Sequence, residues 1–321
     1  MNVSICTLGE LLVEFLAKLP NQGFSTPGEF LGPYPSGAPA IYADQVAKLG
    51  FHSTLFSCVG NDAFGRMNLA RLKADGVNID GITTLNKATT GSAFVSYRTQ
   101  YQRDFIFNMS NSACGFLSAD HIEEKLLSQC THFHIMGSSL FSFRIIDAVR
   151  KVINIVKKNG GTVSFDPNIR KEMLNIPEMS QALDYILEYT DIFMPSDGEV
   201  GYFSNAKIKD ERAIINELLE RGIQHVVIKR GPLGASYYGH DRQHSQMQLE
   251  HHVAGYSVKV IDPTGAGDCF GATFVSLFLA GYDIETALTY ANASGALAIS
   301  QRGPMEGTST LAEIERFISQ H

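Results

Sequence analysis

The chain has 321 residues, of which 44% are hydrophobic and 18% charged, so it can bury a large core and is not a mainly disordered protein. Its 26 basic and 33 acidic residues give a net charge of −7, which excludes the basic field that a nucleic-acid backbone requires. The most apolar stretch, residues 270–281, is too short to span a bilayer, and the N-terminus lacks the pattern of a signal peptide. We therefore expect a cytoplasmic protein with neither nucleic acid nor a membrane as partner. Five scattered cysteines without a C-x-x-C pair agree with a reducing compartment.

Short β-rich runs alternate with longer amphipathic runs, which is typical of βαβ units around a mainly parallel sheet. Strands are predicted at residues 3–8, 53–59, 132–136, 162–166, 191–194 and 225–229. Helices are predicted at residues 38–49, 65–75, 118–128, 143–159, 210–221, 268–280, 283–300 and 310–319. Since no Gly/Ser linker separates these elements, residues 1–321 are expected to form a single α/β domain.

Two segments interrupt this alternation. Residues 11–34 contain several prolines and glycines, and residues 91–108 alternate apolar and polar side chains with the period of two that β-strands have. We interpret both segments as one small antiparallel sheet, called the lid below, that stands off the central sheet. Its apolar face must be covered, so the lid is expected to close over an active site, to join two subunits of a homodimer, or to do both.

The strongest chemical signal is Asp-Pro-Thr-Gly-Ala-Gly-Asp at residues 262–268, called the phosphate loop below. Gly265 and Gly267 allow a tight turn with accessible N–H groups, and the helix predicted after them adds the positive end of its dipole, so the loop can bind an anion. Asp268 is suited to take a proton from a hydroxyl group that attacks a phosphate, or else it only caps the helix. The sequence contains no P-loop motif G-x-x-x-x-G-K-[ST].

The run DPTGAGDCFGATF, residues 262–274, resembles the second signature of the ribokinase-like sugar kinases, also called the PfkB family. The resemblance covers essentially the whole chain. The further matching segments, in the order of the family, are residues 9–10, 36–40, 59–65, 166–170, 199 and 228–235. It implies a ribokinase-like three-layer α/β fold with a small β-sheet lid at about residues 11–34 and 91–108. It also implies an enzyme that transfers the γ-phosphoryl group of ATP to a primary hydroxyl group of a small sugar.

The same resemblance implies roles for the phosphate loop and for the nucleotide side. Asp268 matches the catalytic base of the family. Gly265, Ala266 and Gly267 match its anion hole, whose N–H groups stabilise charge on the transferred phosphoryl group. The residues that match positions beside the nucleotide are Asn168, Lys229, Gly231 and Gly234.

Magnesium and potassium are the two ions that the resemblance implies. Glu199 matches the acidic residue of a magnesium-associated N-x-x-E motif, and Ser196 replaces its asparagine, so Glu199 is expected to act on Mg²⁺ through water. Potassium would be bound by the backbone carbonyl groups of Asp262 and Thr264. The histidines of the strand predicted at 132–136 have no carboxylates at ligand spacing, and we interpret them as structural.

The sugar side departs further from the family pattern. Ile41 stands where the first signature has an asparagine that contacts a hydroxyl group, and Glu14 stands where many members have an aspartate. The residues expected to bind the sugar are Glu14, Gly37, Ala38, Tyr97, Arg103 and Arg170. Either arginine could bind a carboxylate through the fork of its guanidinium group.

Three functions therefore stay open. A ketohexose kinase for tagatose or fructose is favoured, because residues 32–40 most resemble bacterial sugar kinases assigned to tagatose. A 2-keto-3-deoxygluconate kinase is the second, since Arg103 and Arg170 suit an acid sugar. The third is a sugar-sensing protein without catalysis, against which the intact Asp268 argues.

Overall fold

The computed structural model describes residues 3–98, 102–169, 179–204, 210–240 and 248–321. Within these residues the strands form a central sheet of nine strands and a smaller sheet of four. The strands are β1 (Ser4–Leu8), β2 (Leu12–Ala17), β3 (Phe30–Ser36), β4 (His52–Gly60), β5 (Ile82–Leu85), β6 (Gly91–Tyr97), β7 (Arg103–Asn108), β8 (His132–Met136), β9 (Thr162–Asp166), β10 (Ile192–Phe193), β11 (His225–Lys229), β12 (Ala235–His240) and β13 (Gln248–Val253). The helices are α1 (Ala38–Lys48), α2 (Ala63–Ala74), α3 (Glu124–Leu127), α4 (Phe143–Lys158), α5 (Met179–Tyr189), α6 (Glu211–Glu220), α7 (Ala266–Leu279), α8 (Ile284–Ile299) and α9 (Leu311–Ile318).

The central sheet has the strand order β13-β12-β11-β10-β9-β8-β1-β4-β5. Neighbouring strands from β5 to β11 pair in parallel, while β12 and β13 are antiparallel to their neighbours. The inner parallel strands are covered on both faces, as in β8, where every residue is buried. The predicted α/β class with a mainly parallel sheet is thereby confirmed.

Helices cover both faces of this sheet. In β11, Val226 and Ile228 pack in the core cluster that contains α4, α5 and α6, whereas Val227 packs in the cluster that contains α1, α7 and α8. Because successive side chains of a strand point to opposite faces, the two clusters lie on opposite sides of the sheet, and the molecule has three layers. None of the helices in the described part of the chain has the length and apolar character needed to cross a bilayer.

The lid is a four-stranded sheet with the order β3-β2-β6-β7. The pairs β2–β3 and β6–β7 are antiparallel as predicted, but β2 and β6 pair in parallel, so the prediction of a wholly antiparallel lid is wrong. The reason lies in the central sheet. There β1, β4 and β5 run in the same direction. Because β2 follows β1 and β6 follows β5 along the chain, both strands enter the lid in the same direction.

Other predicted elements also differ from the structure. The helix predicted at residues 118–128 is a 3₁₀ turn at Ala119–His121 followed by the single turn of α3. Lys151 Nζ of α4 donates to the carbonyl oxygens of Ala119 and Ile122, at 3.0 and 2.9 Å, and so occupies acceptors that a continuous helix would use. The strand predicted at 191–194 shortens to β10. The elements that the pattern missed are α5, β5, β12 and β13.

Candidate active site

A cavity of about 150 Å³ lies between the lid and the ends of β9 and β11, where the phosphate loop leads into α7. Its walls are formed by Glu14, Ser36, Ala38, Ile41, Arg103, Phe105, Asp166, Asn168, Lys229 and residues 263–268. Asp166 and Lys229 are the last residues of parallel strands, and ligands of open α/β sheets bind outside these carboxyl ends. The fold thus brings together in one wall residues that were predicted to act in catalysis, in sugar binding and in nucleotide binding.

The phosphate loop turns at Gly265, whose φ of 83° lies in the left-handed region that favours glycine. A Cβ atom at this position would lie 2.7 Å from the carbonyl oxygen of Pro304. The helix α7 begins at Ala266, two residues earlier than predicted, and no side chain of the described residues caps it. The N–H groups of Ala266 and Gly267 therefore have no carbonyl partner inside the helix and can donate to an anion at its positive end.

Asp268 is in the first turn of α7 and lines the cavity with a residual exposure of 8%. A general base must lie within hydrogen-bond reach of the proton that it accepts, and a hydroxyl group bound in this cavity meets that condition. The position also fits the helix, since the positive end of the dipole favours a carboxylate. The role of Asp268 as the base stays a prediction.

Lys229 and Asp166 form an ion pair in the cavity wall, with Lys229 Nζ donating to Asp166 Oδ2. Burial raises the pKa of the Asp166 carboxyl, the charge of Lys229 opposes that shift, and the charge of Glu199 adds to it. A Cβ atom on Gly267 would lie 3.7 Å from Lys229 Nζ. Lys229, which was expected beside the nucleotide turn, therefore lies next to the phosphate loop.

Glu199 ties two segments together at the edge of this wall. Its Oε1 accepts from the Ile169 N–H group at 2.6 Å, and its Oε2 accepts from the N–H and Oγ groups of Ser196 at 2.8 and 2.7 Å. Asn168, with a φ of 36°, donates its N–H group to Asp166 Oδ1 at 3.2 Å.

The donor set of this wall fits magnesium. Among the described residues no three His, Cys, Asp or Glu side chains form a group that could hold a metal ion alone. Mg²⁺ typically keeps several waters and phosphate oxygens and takes only one or two carboxylates from the protein. The oxygen ligands that Asp166 offers, and that Glu199 offers through water, suit such an ion.

The sugar-side wall depends on one close backbone approach. Gly37 has a φ of 122°, and a Cβ atom there would lie 2.2 Å from the carbonyl oxygen of Glu10, so only glycine fits where β3 passes into α1. Ala38 follows this approach and lines the cavity together with Glu14, whose Oε1 accepts from Ser36 Oγ at 2.6 Å. Glu14 itself is buried, with 6% exposure.

Ile41 also belongs to the sugar-side wall, at the position where the family pattern has an asparagine. Its Cγ2 atom would lie 3.3 Å from a Cβ atom on Gly265, so Ile41 packs beneath the phosphate loop. The replacement of asparagine therefore provides an apolar contact to the loop.

The lid contacts the phosphate loop through Arg103. Its guanidinium group donates to Thr264 Oγ1 at 2.7 Å and lies over the ring of Phe105. Thr264 Oγ1 donates to Asp262 Oδ1 at 2.8 Å, and Asp262 Oδ2 accepts from the Gly303 N–H group at 3.1 Å. The predicted potassium ligands thus lie in a turn that is held against residue 303 and against the lid.

Some predicted residues lie elsewhere. Tyr97 lines a neighbouring cleft with Ile261 and Arg302, and burial and the nearby carboxylate of Asp262 raise its pKa. Gly231 begins the 3₁₀ turn after β11 and Gly234 follows it, and both are absent from the cavity wall as far as the chain is described. Arg170 lies outside the described residues.

Sequence reasoning missed three wall residues, Ser36, Phe105 and Pro263, and did not pair Asp166 with Lys229. A signal for the pair was available, since both residues end strands that were predicted to be parallel. No sequence signal indicated Phe105, because its place in the wall depends on how the lid packs over the central sheet.

Comparison with protein-family models matches residues 4–311 to "pfkB family carbohydrate kinase". Among curated relatives, "Probable fructokinase-5" of Arabidopsis thaliana is 30% identical, over 98% of this chain and 97% of that protein. An E. coli protein with the provisional name ribokinase II, solved with ATP and Mg²⁺, is 55% identical with a TM-score of 0.93, over 99% of this chain and 100% of that one. A double mutant of Vibrio cholerae O395 fructokinase, solved with fructose, ADP and potassium, is 26% identical with a TM-score of 0.82, over 99% of each chain.

These matches cover nearly the whole chain, and the solved neighbours share its large, mostly parallel sheet and its smaller sheet. The predicted ribokinase-like fold is therefore confirmed. The chain belongs to the pfkB family of carbohydrate kinases and is a sugar phosphotransferase.

Proposed function

We propose that this chain is an ATP-dependent ketohexose kinase that phosphorylates a primary hydroxyl group of D-fructose or D-tagatose. The observation that carries the proposal is the cavity in which Asp268 and the start of α7 share a wall with the buried Glu14. The fructokinase names among the relatives, and the ATP and Mg²⁺ of the E. coli neighbour, support it.

In the proposed reaction, Asp268 accepts the proton of the sugar hydroxyl group as its oxygen attacks the γ-phosphorus of ATP. The bond between this phosphorus and the bridging oxygen of ADP breaks, and ADP leaves with the electron pair. The N–H groups of Ala266 and Gly267 donate to the oxygens of the transferred group, where negative charge is concentrated. The lid keeps water away from the acceptor site, which favours transfer to the sugar over hydrolysis.

Mg²⁺ neutralises charge on the triphosphate when it is bound. The residues that suit it are Asp166 and, through water, Glu199. We also propose that the backbone carbonyl groups of Asp262 and Thr264 bind potassium, an ion that is present in the Vibrio cholerae fructokinase structure. Its support in this chain is the turn that Asp262 Oδ2 holds against the Gly303 N–H group.

Glu14 and Arg103 bear on the choice of sugar. A buried carboxylate such as that of Glu14 accepts hydrogen bonds from the hydroxyl groups of a neutral sugar. Arg103 favours 2-keto-3-deoxygluconate as a second candidate, because its charge could bind the carboxylate of that sugar. Arg103 already donates a hydrogen bond to Thr264, which gives its guanidinium group a role other than binding a sugar carboxylate. We therefore rank the neutral ketohexose first.

An ADP-release assay with ATP and Mg²⁺ tests the proposal across D-fructose, D-tagatose, 2-keto-3-deoxygluconate, D-ribose and adenosine. We expect kcat/KM for a ketohexose to exceed the others by about tenfold or more. A preference for the acid sugar would replace the ketohexose by the second candidate. Turnover of none would instead support a sugar-binding protein without catalysis. With fructose, 1-deoxy and 6-deoxy analogues identify the reacting hydroxyl group, since the analogue that lacks it is not phosphorylated.

Three further statements belong to this proposal. Residues 1–321 act as one kinase domain, and two copies pair through their lids, which is supported by the exposed Leu19 and Ile106 of the lid. The protein works in the cytoplasm, which is supported by five cysteines that are all buried free thiols.

A further inference from the structure

The wall of the cavity carries one cation, Lys229, that the proposed reaction does not yet use. Its side chain is 17% exposed and reaches the cavity from the end of β11. Because Gly267 has no side chain, nothing at this position fills the space between the first turn of α7 and the ammonium group of Lys229. An oxygen atom in that space could accept hydrogen bonds from both.

Asp166 fixes the position of this ammonium group. A lysine side chain is flexible, and its ammonium group has three donors, of which one is used by Asp166 Oδ2. The carboxylate of Asp166 is 2% exposed, and its other oxygen accepts from the Asn168 N–H group at 3.2 Å. The pair therefore holds Lys229 Nζ beside the phosphate loop and leaves two donors for another acceptor.

Stability alone is a weak reason for such a pair. Taking two charges out of water costs free energy that their attraction often fails to recover, and apolar residues of similar size frequently stabilise a protein as well. The next residue, Arg230, is about as buried as Lys229 but pairs with the more exposed Glu211, outside the described wall of the cavity. What distinguishes Lys229 is its place beside the start of α7.

We propose that Lys229 is a catalytic residue that donates hydrogen bonds to the transferred phosphoryl group, with Asp166 as its positioning residue. The inference rests on the proposed kinase function. The loop N–H groups and Lys229 then contact oxygens of the same phosphoryl group, so the cation is already in place when negative charge redistributes. This contact exists with ATP and in the transition state, but not with ADP.

Titration calorimetry without sugar tests this distinction. In the presence of Mg²⁺, ADP and the non-hydrolysable ATP analogue AMP-PNP are titrated into the wild-type protein and into Lys229→Met. We expect the variant to bind AMP-PNP about 10- to 100-fold more weakly, the usual effect of losing a hydrogen bond to a charged group, and ADP within about threefold. Arg230→Met, which removes the same charge from the neighbouring residue, should leave the ratio of the two affinities unchanged.

A double variant separates the proposed contact from damage to the fold. Lys229→Met leaves the Asp166 carboxylate buried without its partner and should lower the Tm, whereas Lys229→Met with Asp166→Asn removes both charges and should recover much of it. We expect the double variant still to lack the preference for AMP-PNP. Asp166→Asn alone should weaken AMP-PNP binding by a smaller factor, because Lys229 keeps its charge but loses its orientation. Since Asp166 also suits Mg²⁺, both variants that carry Asp166→Asn are titrated without Mg²⁺ as well, and the loss of preference should persist there.

The outcomes are distinct. If the preference for AMP-PNP survives in Lys229→Met, or returns in the double variant together with the Tm, the proposed contact is wrong. If the wild-type protein binds neither nucleotide, the proposed kinase function fails and this inference with it. A failure to phosphorylate any ketohexose would leave the nucleotide titrations unaffected, so an error in the assigned sugar cannot be mistaken for an error about Lys229.

Discussion

Asp268 lies in the first turn of α7, beside the N–H groups that face the cavity. A carboxylate is a poor ligand for phosphate, because both groups are negatively charged and both accept hydrogen bonds. It is a good acceptor for the proton of an attacking hydroxyl group. The carboxylate of Asp268 would repel a phosphate bound by the loop N–H groups. A sugar hydroxyl group between the two would separate the charges and give Asp268 a proton to accept.

Asp268→Asn keeps the shape of the side chain and removes its basicity. We expect kcat to fall by about 10²- to 10⁴-fold while the KM values for ATP and sugar change only a few-fold, because a general base acts in the transition state. Steady-state kinetics with the preferred sugar measures this. Asp283→Asn is the control, since Asp283 caps α8 through the Thr286 N–H group and lies outside the cavity wall. A nearly normal kcat in Asp268→Asn would remove this residue from the role of base.

Sequence could predict the parts of the site that are local in the chain. The phosphate loop is such a part, since its glycines and its following helix lie within a few residues of Asp268. The hydrogen bonds from Lys229 to Asp166 and from Arg103 to Thr264 join residues that are far apart in sequence. They depend on the order of the strands and on the packing of the lid, which no local pattern encodes.

At the scale of elements, β7 links the lid to the phosphate loop through Arg103. This hydrogen bond connects a lid strand that lines the cavity with the turn that leads into α7. Lid position and loop geometry are therefore mechanically coupled in this structure. Arg98, at the same end of this hairpin as Arg103, pairs instead with Asp104 on the exposed side of the lid.

These two arginines provide a matched pair of variants. Arg103→Ala should lower kcat/KM for the sugar by about 10- to 100-fold, because it removes a charged donor from the hydroxyl group of the buried Thr264. Arg98→Ala should change kcat/KM by less than about twofold, since exposed ion pairs contribute little free energy. Kinetics with a neutral and an acid sugar adds a second readout. If Arg103→Ala impairs only the acid sugar, Arg103 binds a carboxylate and does not couple the lid to the loop.

The histidines of β8 make the stability of the protein sensitive to acid. His132 is fully buried between Thr162 Oγ1 and Ser164 Oγ, each 2.7 Å from a ring nitrogen, and burial lowers its pKa to about 3. An unfolded chain binds a proton on this ring below about pH 6.5, whereas the folded protein does not. The free energy of unfolding should therefore decrease as the pH falls from about 6.5 towards 3, by about 1.4 kcal/mol per unit for this histidine.

Urea unfolding at pH 7.5 and pH 5.0 measures this contribution. His132→Asn should be less stable than the wild-type protein at pH 7.5, because it leaves a cavity, yet it should lose about 2 kcal/mol less between the two pH values. His52→Asn, at the exposed start of β4, is the control for the loss of a histidine side chain at the surface. Equal losses in all three proteins would mean that His132 binds its proton in the folded state.

Hydrophobic pattern predicted the inner elements of the fold best. The observed bounds of β8, β9 and β11 are the predicted ones, because a strand that is buried on both faces stands out as a short apolar run between polar turns. The last two strands at one side of the sheet, β12 and the edge strand β13, mix tyrosine, histidine and polar residues and were missed. The helix predicted at 118–128 failed because its carbonyl oxygens are bound by Lys151, a residue on another element.

At the scale of the whole molecule, the two edges of the lid differ. The edge strand β3 contains Pro33 and Pro35, which lack the N–H groups that a further strand would need. The opposite edge, β7, has no proline and exposes Ile106 by 44%. An unprotected edge with apolar exposure favours pairing with another chain, so β7 is the edge through which a homodimer would form.

Light scattering after size-exclusion chromatography tests this prediction. The wild-type protein should have twice the chain mass of 35.2 kDa, and Ile106→Lys should shift it towards the monomer, because a buried charge without a partner is costly. Leu233→Lys is the control, since Leu233 is more exposed, at 69%, and lies in the turn after β11. A monomeric wild-type protein, or an Ile106→Lys dimer, would contradict pairing through this edge.

The parallel pairing of β2 with β6 has a consequence for engineering. The lid is built from two separate excursions of the chain away from the central sheet, β2–β3 and β6–β7. The pairing of β2 with β6 is the strand contact that joins them. Neither excursion contains a complete sheet, so a lid from a relative cannot be grafted as one continuous insert. At its first boundary, Gly9 and Gly37 approach Ser139 and the backbone of Glu10 too closely for any side chain. A change of sugar range by lid exchange would therefore require both excursions to be replaced together, with these glycines kept as the junctions.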